Sequence, residues 1–292
     1  MRVLIVGCGY VGLPLGAELV RQGHEVAGIR RRQSSEPELR AVGIIPLIAD
    51  ITQPEDFARI PAKYDWIVNC VSSSRGGMDE YEAVYVRGTR NLIEWLAAAP
   101  TKKFVYTSST SVYGQTDGSI VDETSPTEPH AETAKILVAA ENLLLQAARV
   151  RKFPAIILRI AGIYGPDRGY WFKQYVKGEA RIEGKGERVM NMIHRDDVVG
   201  SIIAALRNGV PGENYNVIDN EPVTQLEFFK WLSKTMHKPL PASVPEDHGV
   251  GRKRELTNKK VSNSKLRSRL GYKLKYPSFR EGYSEEILRM LT

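Results

Sequence analysis

Residues 3–12 read VLIVGCGYVG, four apolar residues followed at once by three glycines in the spacing G-x-G-x-x-G. Gly7 allows a tight turn, Gly9 lets backbone N–H groups approach a pyrophosphate, and Gly12 lets the next helix pack against the strand. The N-terminus of that helix favours an anion. The stretch therefore predicts a strand, a phosphate-binding turn that includes Tyr10 and Val11, and a helix. A glycine turn that holds no ligand is the alternative.

Apolar runs alternate with helical patterns through the first two thirds of the chain. The strand-like runs are residues 2–6, 25–29, 44–48, 66–71, 103–107 and 155–160, and the helical patterns are residues 12–22, 79–98 and 131–149. This order is typical of a parallel sheet that is covered by helices on both faces. We therefore expect an α/β fold, a Rossmann-type doubly wound parallel sheet with its ligands outside the carboxyl ends of the strands.

The regularity declines after about residue 164. We expect a helix over residues 196–207, a strand over residues 215–218 and a helix over residues 224–236, followed by prolines at positions 239, 241 and 245. The predicted organisation has two parts. Residues 1–165 form a Rossmann domain whose sheet is completed by parts of residues 190–220, and residues 166–292 form a small α+β substrate-binding lobe, partly interleaved with the first.

The composition excludes several classes of protein. Of 292 residues, 42% are hydrophobic and 26% are charged, which is typical of a globular chain with a buried core. The two cysteines, Cys8 and Cys70, are too few to stabilise a fold of this size through disulfide bonds, so we expect a reducing compartment. No apolar run approaches the roughly 20 residues of a membrane helix, and the N-terminus lacks the layout of a signal peptide. These features predict a cytoplasmic protein without a membrane partner.

Two further sequence features concern other partners. The five histidines do not have metal-ligand spacing, so we expect no metal site. The formal net charge is +7, but residues 251–292 contain twelve Lys and Arg against four Glu, so the first 250 residues carry a net charge of −1. The basic segment is interpreted as a solvated face or a site for a diphosphate. A nucleic-acid partner is disfavoured because few aromatic residues accompany the charges.

The end of the second predicted strand distinguishes between the two nicotinamide dinucleotides. A site for NAD usually has an acidic residue about 20 positions after the glycines, which accepts hydrogen bonds from the ribose. Here the strand ends instead in Arg30, Arg31 and Arg32, and guanidinium groups bind phosphate through paired hydrogen bonds. The triplet predicts NADP as the preferred cofactor and NAD as the second choice, against the alternative of a solvated turn.

Residues near the ends of the next strands are further candidates for cofactor contacts, because ligands bind outside the carboxyl ends of parallel strands. At the ends of the fourth and fifth predicted strands these candidates are Val71, Ser72, Thr107 and Ser108. At the end of the third, Asp50 is a candidate for contact with the adenine. An Asp before a proline also caps helices, so this role for Asp50 stays an open alternative.

The segment FVYTSSTSVYG at residues 104–114 resembles the extended short-chain dehydrogenase/reductase superfamily, which includes NAD(P)-dependent sugar epimerases and dehydratases. The resemblance covers nearly the whole chain. Further matches follow in the same order at residues 87–92, 158–166, 193–198, 215–217 and 264–272. The resemblance implies a Rossmann-type fold, a NAD(P) cofactor and a serine that hydrogen-bonds the substrate hydroxyl or carbonyl. That serine corresponds to Ser109.

The chain also departs from the superfamily. Its members carry a Y-x-x-x-K pair about 25 residues beyond the serine, in which Tyr is the general acid/base. Aligning the Lys on Lys135 places an alanine at the Tyr position, and aligning on Glu141 places Thr133 and Leu137 at the two positions. The Asn that usually precedes R-G-T is replaced by Tyr85. The sequence therefore resembles an atypical subgroup that keeps the Ser and lacks the Tyr–Lys pair.

An epimerase, reductase or dehydratase needs a proton carrier whose pKa can be brought near 7. His130 is the first candidate, because its ordinary pKa already suits and it lies where the missing Tyr would enter. Tyr113, Lys135 and Glu132 are the alternatives. For His130 and Lys135, an exposed position at the start of a helix is the competing interpretation. The candidate catalytic set is therefore Ser109 with Tyr113, His130 or Lys135.

These observations predict an oxidoreductase or epimerase that prefers NADP and acts on a hydroxylated or carbonyl substrate, with nucleotide sugars as one class. The alternative is a catalytically weak or inactive dinucleotide-binding sensor, which the missing Tyr–Lys pair permits. A homodimer is the default expectation for its assembly.

Overall fold

A computed structural model of the chain describes residues 1–61, 63–73, 77–99, 101–245 and 257–291. Arg252, Lys253, Arg254 and Glu255 of the basic C-terminal segment lie outside the described residues. The strands are β1 Arg2–Val6, β2 Glu25–Arg30, β3 Ile45–Ile48, β4 Trp66–Asn69, β5 Lys103–Ser109, β6 Ile120–Val121, β7 Ala155–Ile160, β8 Gly162–Tyr164, β9 Ile182–Glu183, β10 Val189–Met190, β11 Met192–His194, β12 Asn214–Val217, β13 Val223–Thr224, β14 Ser243–Val244 and β15 Lys260–Val261.

The α-helices of the described residues follow the same numbering along the chain. They are α1 Gly12–Arg21, α2 Glu36–Ala41, α3 Met78–Glu82, α4 Gly88–Leu96, α5 Glu132–Arg151, α6 Tyr170–Val176, α7 Arg195–Asn208, α8 Gln225–Met236, α9 Ser264–Arg269 and α10 Phe279–Leu291. None of the helices in this part of the chain combines the length and the apolar character that a membrane crossing needs.

A seven-stranded parallel sheet organises the fold, in the order β12-β7-β5-β4-β1-β2-β3. The strands are apolar without alternation because both faces of the sheet are covered, and the side chains of Val3 to Val6 are completely buried. The Rossmann-type fold class is confirmed. The strand order reverses between β1 and β4, so the carboxyl ends of these two strands mark the switch point at which such sheets bind ligands.

One predicted helix is interrupted. The pattern over residues 79–98 forms α3, a π-helical turn over Ala83–Arg87, and α4. A π-helical turn inserts an extra residue into a helix and is frequent at functional sites. It shifts the side chains of Tyr81 and Tyr85 relative to α4, and both of them line the cleft described below.

The apolar side chains form two clusters. The larger one surrounds the sheet and includes residues that come late in the chain, among them Ile202 in α7 and Leu266 in α9. The second is largely aromatic and joins α6, α8 and α10, for example through Phe172, Phe228 and Phe279. The predicted domain boundary at residues 165/166 stays a prediction, although β12 does complete the large sheet beside β7.

Candidate active site

A cleft of about 1220 Å³ opens at the carboxyl ends of β1, β4, β5 and β7. This volume exceeds the roughly 300–1,000 Å³ of a typical small-molecule site, so a cofactor and a substrate fit side by side. Most of the predicted cofactor contacts line it: Gly9, Tyr10, Val11, Val71, Ser72, Thr107 and Ser108. The candidate catalytic residue Ser109 lines it as well.

The glycine turn has the geometry that a dinucleotide requires. Gly7 has φ +89°, and a Cβ atom there would lie 2.8 Å from the backbone nitrogen of Val71. A Cβ atom on Gly12 would lie 2.4 Å from the carbonyl oxygen of Gly7. At Gly9, by contrast, nothing lies closer than 3.9 Å to the Cβ position, and this residue faces the cleft. Gly7 and Gly12 thus shape the turn, and Gly9 leaves the room that a pyrophosphate needs.

The three predicted arginines occupy different environments. Arg30 reaches back over the glycine turn, donates a hydrogen bond to the carbonyl oxygen of Cys8, and donates another to Glu38 Oε2 at 3.2 Å. The Arg31 guanidinium lies 3.9 Å from a carboxylate oxygen of Glu80, and Arg32 is exposed. The structure therefore brings Arg30, of the three, closest to the cofactor turn.

Asp50 is not brought to the cleft. Its Oδ1 atom accepts hydrogen bonds from the backbone nitrogen of Thr52 at 2.9 Å and from the Thr52 hydroxyl at 2.8 Å. Its own backbone nitrogen donates to Asp56 Oδ2 at 2.8 Å. The carboxylate therefore caps a local turn, which is close to the capping role named as the alternative, and the contact with the adenine stays a prediction.

Ser109 ends β5 and opens the short 3₁₀ turn Thr110–Val112. Its Oγ atom accepts a hydrogen bond from the backbone nitrogen of Ser111 at 3.2 Å. Because the hydroxyl acts as the acceptor in this bond, its own proton can be donated to a ligand in the cleft. The geometry is thus compatible with the substrate-oriented serine that the resemblance implies.

The start of α5 decides between the two alignments of the missing pair. Thr133 and Leu137 line the cleft, whereas Glu141, one turn further on, is buried beneath it. This is the register in which Thr133 stands at the Tyr position and Leu137 at the Lys position. The helix therefore presents a hydroxyl and an apolar side chain to the cleft where the superfamily has a phenol and an ammonium.

Tyr113 lies beneath the cleft and does not line it. Its side chain is completely buried, donates a hydrogen bond to Asn216 Oδ1 at 2.9 Å, and accepts one from Arg159 Nη1 at 2.8 Å. Burial raises the pKa of Tyr113. The hydroxyl is thus engaged in the interior, and the expectation of a proton carrier at this residue is corrected.

His130 and Lys135 also lie away from the cleft. Lys135 is exposed and forms an ion pair with Glu132 at 2.7 Å. His130 is exposed just before α5. Since helical neighbours recur every three to four residues, the face that turns Thr133 and Leu137 to the cleft turns Lys135 away. The expectation that Lys135 reaches the reacting atoms is corrected for this reason, and the expectation for His130 is corrected because this exposed residue precedes α5 and does not line the cleft.

A buried ion pair fixes α5 to the sheet under the cleft. Arg159 Nη2 lies 2.7 Å from Glu141 Oε2, and both side chains are at most 5% exposed. The hydroxyl of Ser108 donates a hydrogen bond to Glu141 Oε1 at 2.5 Å. Burying these charges requires such partners. The network therefore holds the ends of β5 and β7 and the register of α5 in one arrangement.

Several lining residues were not expected from the sequence. They are the aromatic residues Tyr81, Tyr85, Tyr164, Tyr170, Trp171 and Tyr283, and the charged residues Arg168, Lys173, Glu183, Arg188 and Lys259. Among the described lining residues, four cations therefore face one carboxylate, and that carboxylate, on Glu183, lies 3.5 Å from Arg188. The sequence contains one signal for this group of lining residues, because Arg168 comes just after the matched Y-G-P segment at residues 164–166.

Tyr10 connects the glycine turn to the opposite side of the cleft. Its hydroxyl donates a hydrogen bond to the carbonyl oxygen of Pro166 at 2.9 Å, and the guanidinium of Arg168 lies 5.0 Å from its ring centroid. Burial raises the pKa of Tyr10 to about 12, so the phenol is neutral at physiological pH. The residue predicted as a cofactor contact thus also bridges two segments that are 156 positions apart.

Carboxylates of the same chain pair with many of the described basic residues near the C-terminus. Lys265 lies 2.6 Å from Glu213, and Lys275 lies 3.1 Å from Asp196. Further pairs join Arg280 to Glu221 and Arg289 to Glu285. Where the segment is described, much of its positive charge is therefore paired with carboxylates of the same chain. Within the described ranges, no group of three or more His, Cys, Asp or Glu side chains is arranged to hold a metal ion.

A family match and similar proteins agree with this architecture. The model of the NAD dependent epimerase/dehydratase family matches residues 3–217. The chain is 27% identical to Protein YeeZ of Escherichia coli K12, over 94% of this chain and 96% of that protein. It is 26% identical to the 3-diazoavenalumate denitrifying reductase of a Streptomyces species, over 98% of this chain and 100% of that protein.

A solved structure shows the same fold. DesIV of Streptomyces venezuelae, a dTDP-glucose 4,6-dehydratase with NAD and TYD bound, superimposes on the chain with a TM-score of 0.84. The identity is 22%, and the match covers 99% of this chain and 96% of that one. The superfamily expected from residues 104–114 is confirmed.

Proposed function

Because the chain belongs to the NAD dependent epimerase/dehydratase family, we propose that it is an oxidoreductase of this family that prefers NADP and acts on a hydroxylated or carbonyl substrate. Substrates linked to a nucleotide are one class within this proposal. The observation that carries it is the cleft itself, which joins the glycine turn and Ser109 at one edge of the sheet. A nicotinamide dinucleotide bound at the glycine turn would supply or accept the hydride.

The preference for NADP is supported by the position of Arg30. In this fold the ribose next to the adenine lies beside the end of β2. Arg30 ends β2, lies over the glycine turn and is 28% exposed, so its guanidinium can donate to a phosphate on that ribose. Glu38, which now pairs with Arg30, holds the guanidinium in place at 3.2 Å.

For the reaction, Ser109 donates a hydrogen bond to the substrate oxygen whose carbon gains or loses the hydride. The proton of that oxygen moves through hydroxyl groups of the cleft wall, to which α5 contributes Thr133. Alcohol oxidation needs a base for the hydroxyl proton and carbonyl reduction needs an acid that delivers it, so the absence of a Tyr–Lys pair from α5 affects both directions equally. A relative of similar length is named a reductase, which favours the direction of reduction.

The cofactor part is tested by fluorescence titration of the purified protein with NADPH and NADH. We expect NADPH to bind at least about tenfold more tightly. Arg30→Ala should lose that preference because its affinity for NADPH falls. The substitution removes the phosphate contact and leaves the glycine turn unchanged. Arg32→Ala is the matched control, since Arg32 is exposed, and should bind both cofactors like the unaltered chain. Equal or tighter binding of NADH by the unaltered chain contradicts the proposed preference.

A sensor of cofactor level is the second candidate, and Leu137 in the cleft is the observation that favours it. A protein that only reports NADPH needs the glycine turn but no proton carrier. Incubation with NADPH and a broad panel of carbonyl compounds and sugar nucleotides separates the two functions. Oxidation of NADPH by any of these compounds supports the enzyme. Tight NADPH binding without turnover, together with a protein that co-purifies, supports the sensor.

A further inference from the structure

One cation of the cleft has no hydrogen-bond partner in the part of the chain that the structure describes. Arg168 lines the cleft from the segment after β8 and is exposed, and its guanidinium forms no hydrogen bond or ion pair with a described residue. The other lining cations have partners within the protein: Lys173 with the carbonyl oxygen of Asp167 at 2.5 Å, Arg188 with Glu183 at 3.5 Å and Lys259 with the carbonyl oxygen of Tyr113 at 2.8 Å. A guanidinium has five N–H donors, so those of Arg168 are available to a ligand.

The guanidinium of Arg168 lies beside the glycine turn. Its Cζ atom is 5.0 Å from the ring centroid of Tyr10, a distance at which a cation is attracted to an aromatic ring. The guanidinium of Arg195 also lies near this ring, at 5.3 Å, but it is paired with Asp196 at 3.1 Å. Of the two cations that Tyr10 attracts, Arg168 is therefore the one that can bind a ligand at the turn.

The segment that carries Arg168 is fixed against the glycine turn. The backbone nitrogen of Gly165 donates to the carbonyl oxygen of Arg168 at 3.1 Å, and the reverse bond measures 2.9 Å. The hydroxyl of Tyr10 donates to the carbonyl oxygen of Pro166 at 2.9 Å, and a Cβ atom on Gly165 would lie 3.2 Å from that hydroxyl. Because these contacts fix the main chain before a ligand binds, the entropic cost of using the Arg168 side chain is lowered.

The glycine turn offers hydrogen-bond donors without a full charge. The backbone nitrogens of Tyr10 and Val11 form no hydrogen bond with the described residues, and Val11, the N-cap of α1, provides no side-chain cap. Free N–H groups at a helix N-terminus bind phosphate through partial charges. A diphosphate carries two negative charges, and a guanidinium matches its oxygens with a full charge and paired donors. Arg168 is placed to add that charge to the donors of the turn.

We propose that Arg168 binds the diphosphate of the nicotinamide dinucleotide, together with the backbone N–H groups of the glycine turn. This inference rests on the proposed function, because it requires a dinucleotide in the cleft. The role differs from that of Arg30, which is proposed to contact the phosphate that NADP has and NAD lacks. The diphosphate is common to both cofactors, so Arg168 contributes affinity without selecting between them.

The experiment compares Arg168→Met with the unaltered chain, because methionine keeps an apolar side chain beside Tyr10 and removes the charge. NADPH and NADH are titrated by fluorescence, and ADP-ribose, which has the diphosphate but no nicotinamide, is measured by displacement of NADPH. We expect the three affinities to fall by the same factor, at least about tenfold, since hydrogen bonds to a charged group are lost. The ratio of the NADPH and NADH affinities should stay unchanged, whereas Arg30→Ala should lower the affinity for NADPH alone.

Arg90→Met is the matched control, because it removes the same charge from an exposed position of α4 outside the cleft. It should bind all three ligands like the unaltered chain, and urea denaturation of each variant reports whether the fold is intact. The inference is overturned if folded Arg168→Met binds ADP-ribose as tightly as the unaltered chain, or if Arg90→Met loses as much affinity. A loss confined to NADPH would also overturn it, because the contact would then be to the phosphate on the ribose. Failure of the unaltered chain to bind either dinucleotide would instead contradict the proposed function.

Discussion

The two walls of the cleft are built in opposite ways. The cofactor wall, which comprises the glycine turn of residues 7–12 and Arg30, comes from the first 30 residues and is shaped by contacts between near neighbours such as Gly7 and Gly12. The opposite wall, which the proposed function assigns to the substrate and which is called the substrate wall, comprises Arg168, Trp171, Arg188 and Lys259 and is assembled from segments up to 91 positions apart. A turn that binds phosphate can therefore be identified in one stretch of sequence. A surface that selects a substrate depends on how distant segments meet.

α5 lies between the two walls and determines what chemistry they share. Its cleft-facing positions are Thr133 and Leu137, and its buried Glu141 ties it to β7 through Arg159. The sequence of α5 thus keeps the anchor that sets the register and changes the two residues that would act at the cofactor. This combination distinguishes a loss of one catalytic mechanism from a loss of structure. Two predictions test the two parts of this distinction, and a third concerns the residues beneath the opposite wall.

The largest effect is expected for Glu141→Ala. Removing one partner of a buried ion pair leaves the Arg159 guanidinium, at most 5% exposed, without its carboxylate, which typically costs about 3–5 kcal/mol. Urea denaturation should show a loss of this size in the free energy of unfolding. Glu132→Ala is the control, because its pair with Lys135 is exposed and should contribute less than about 1 kcal/mol. Similar losses in both variants would mean that the network does not anchor α5.

The second effect concerns turnover. Once the panel of carbonyl compounds provides a substrate, Ser109→Ala should lower kcat about a hundredfold, because removing one donor to a reacting oxygen typically costs that factor or more. His130→Ala should leave kcat within about twofold, since His130 lies outside the cleft. The steady-state rate of NADPH oxidation measures both. Full turnover in Ser109→Ala, or a large loss in His130→Ala, would reverse the assignment of the cleft residues.

The third effect is a pH dependence beneath the substrate wall. Asp219 is 1% exposed, and its Oδ2 atom makes no hydrogen bond among the described residues. Burial raises the pKa of Asp219 to about 8, so the folded protein retains a proton there that the unfolded chain, with its ordinary pKa near 4, has already released. The stability of the unaltered chain should therefore fall between about pH 4 and pH 8, by up to about 1.4 kcal/mol for each pH unit.

In Asp219→Asn this contribution to the pH dependence should be absent, because the amide does not ionise. Urea denaturation of both proteins at pH 5, 6, 7 and 8 gives the difference, and the advantage of the variant should grow with pH. A difference that stays constant over this range would show that Asp219 is ionised in the folded state. The hydrogen bond from the Glu221 nitrogen to Asp219 Oδ1 at 3.0 Å can be kept by the amide oxygen, so the comparison isolates the charge.

Much of the fold could be predicted from the sequence because a parallel strand that is buried on both faces is apolar throughout. The predicted strands at residues 2–6 and 155–160 coincide with β1 and β7. The helix α10 was not predicted, since its charged residues were interpreted as part of a basic face. Its apolar residues Phe279, Tyr283 and Ile287 do recur every four positions and are buried in the aromatic cluster.

The candidate site could be predicted only in part, for a different reason. The glycine turn and Ser109 are recognised from adjacent residues, so their positions in the cleft follow from the strands that precede them. Tyr113 is also next to that motif, but β5 ends before it and the 3₁₀ turn directs its side chain into the interior. Lys259 is 146 positions from the carbonyl group it contacts, and no spacing rule connects residues so far apart.

The hydrogen bond from Tyr10 to the carbonyl oxygen of Pro166 is a direct connection between the glycine turn and the opposite side of the cleft. A dinucleotide that repositions the glycine turn must also affect the segment that leads to Arg168, and a substrate held by that segment must affect the turn. By thermodynamic reciprocity, each ligand then changes the affinity for the other by the same factor. The factor is the same whichever ligand binds first, so this one phenol would make the order of binding irrelevant to the final affinity of the ternary complex.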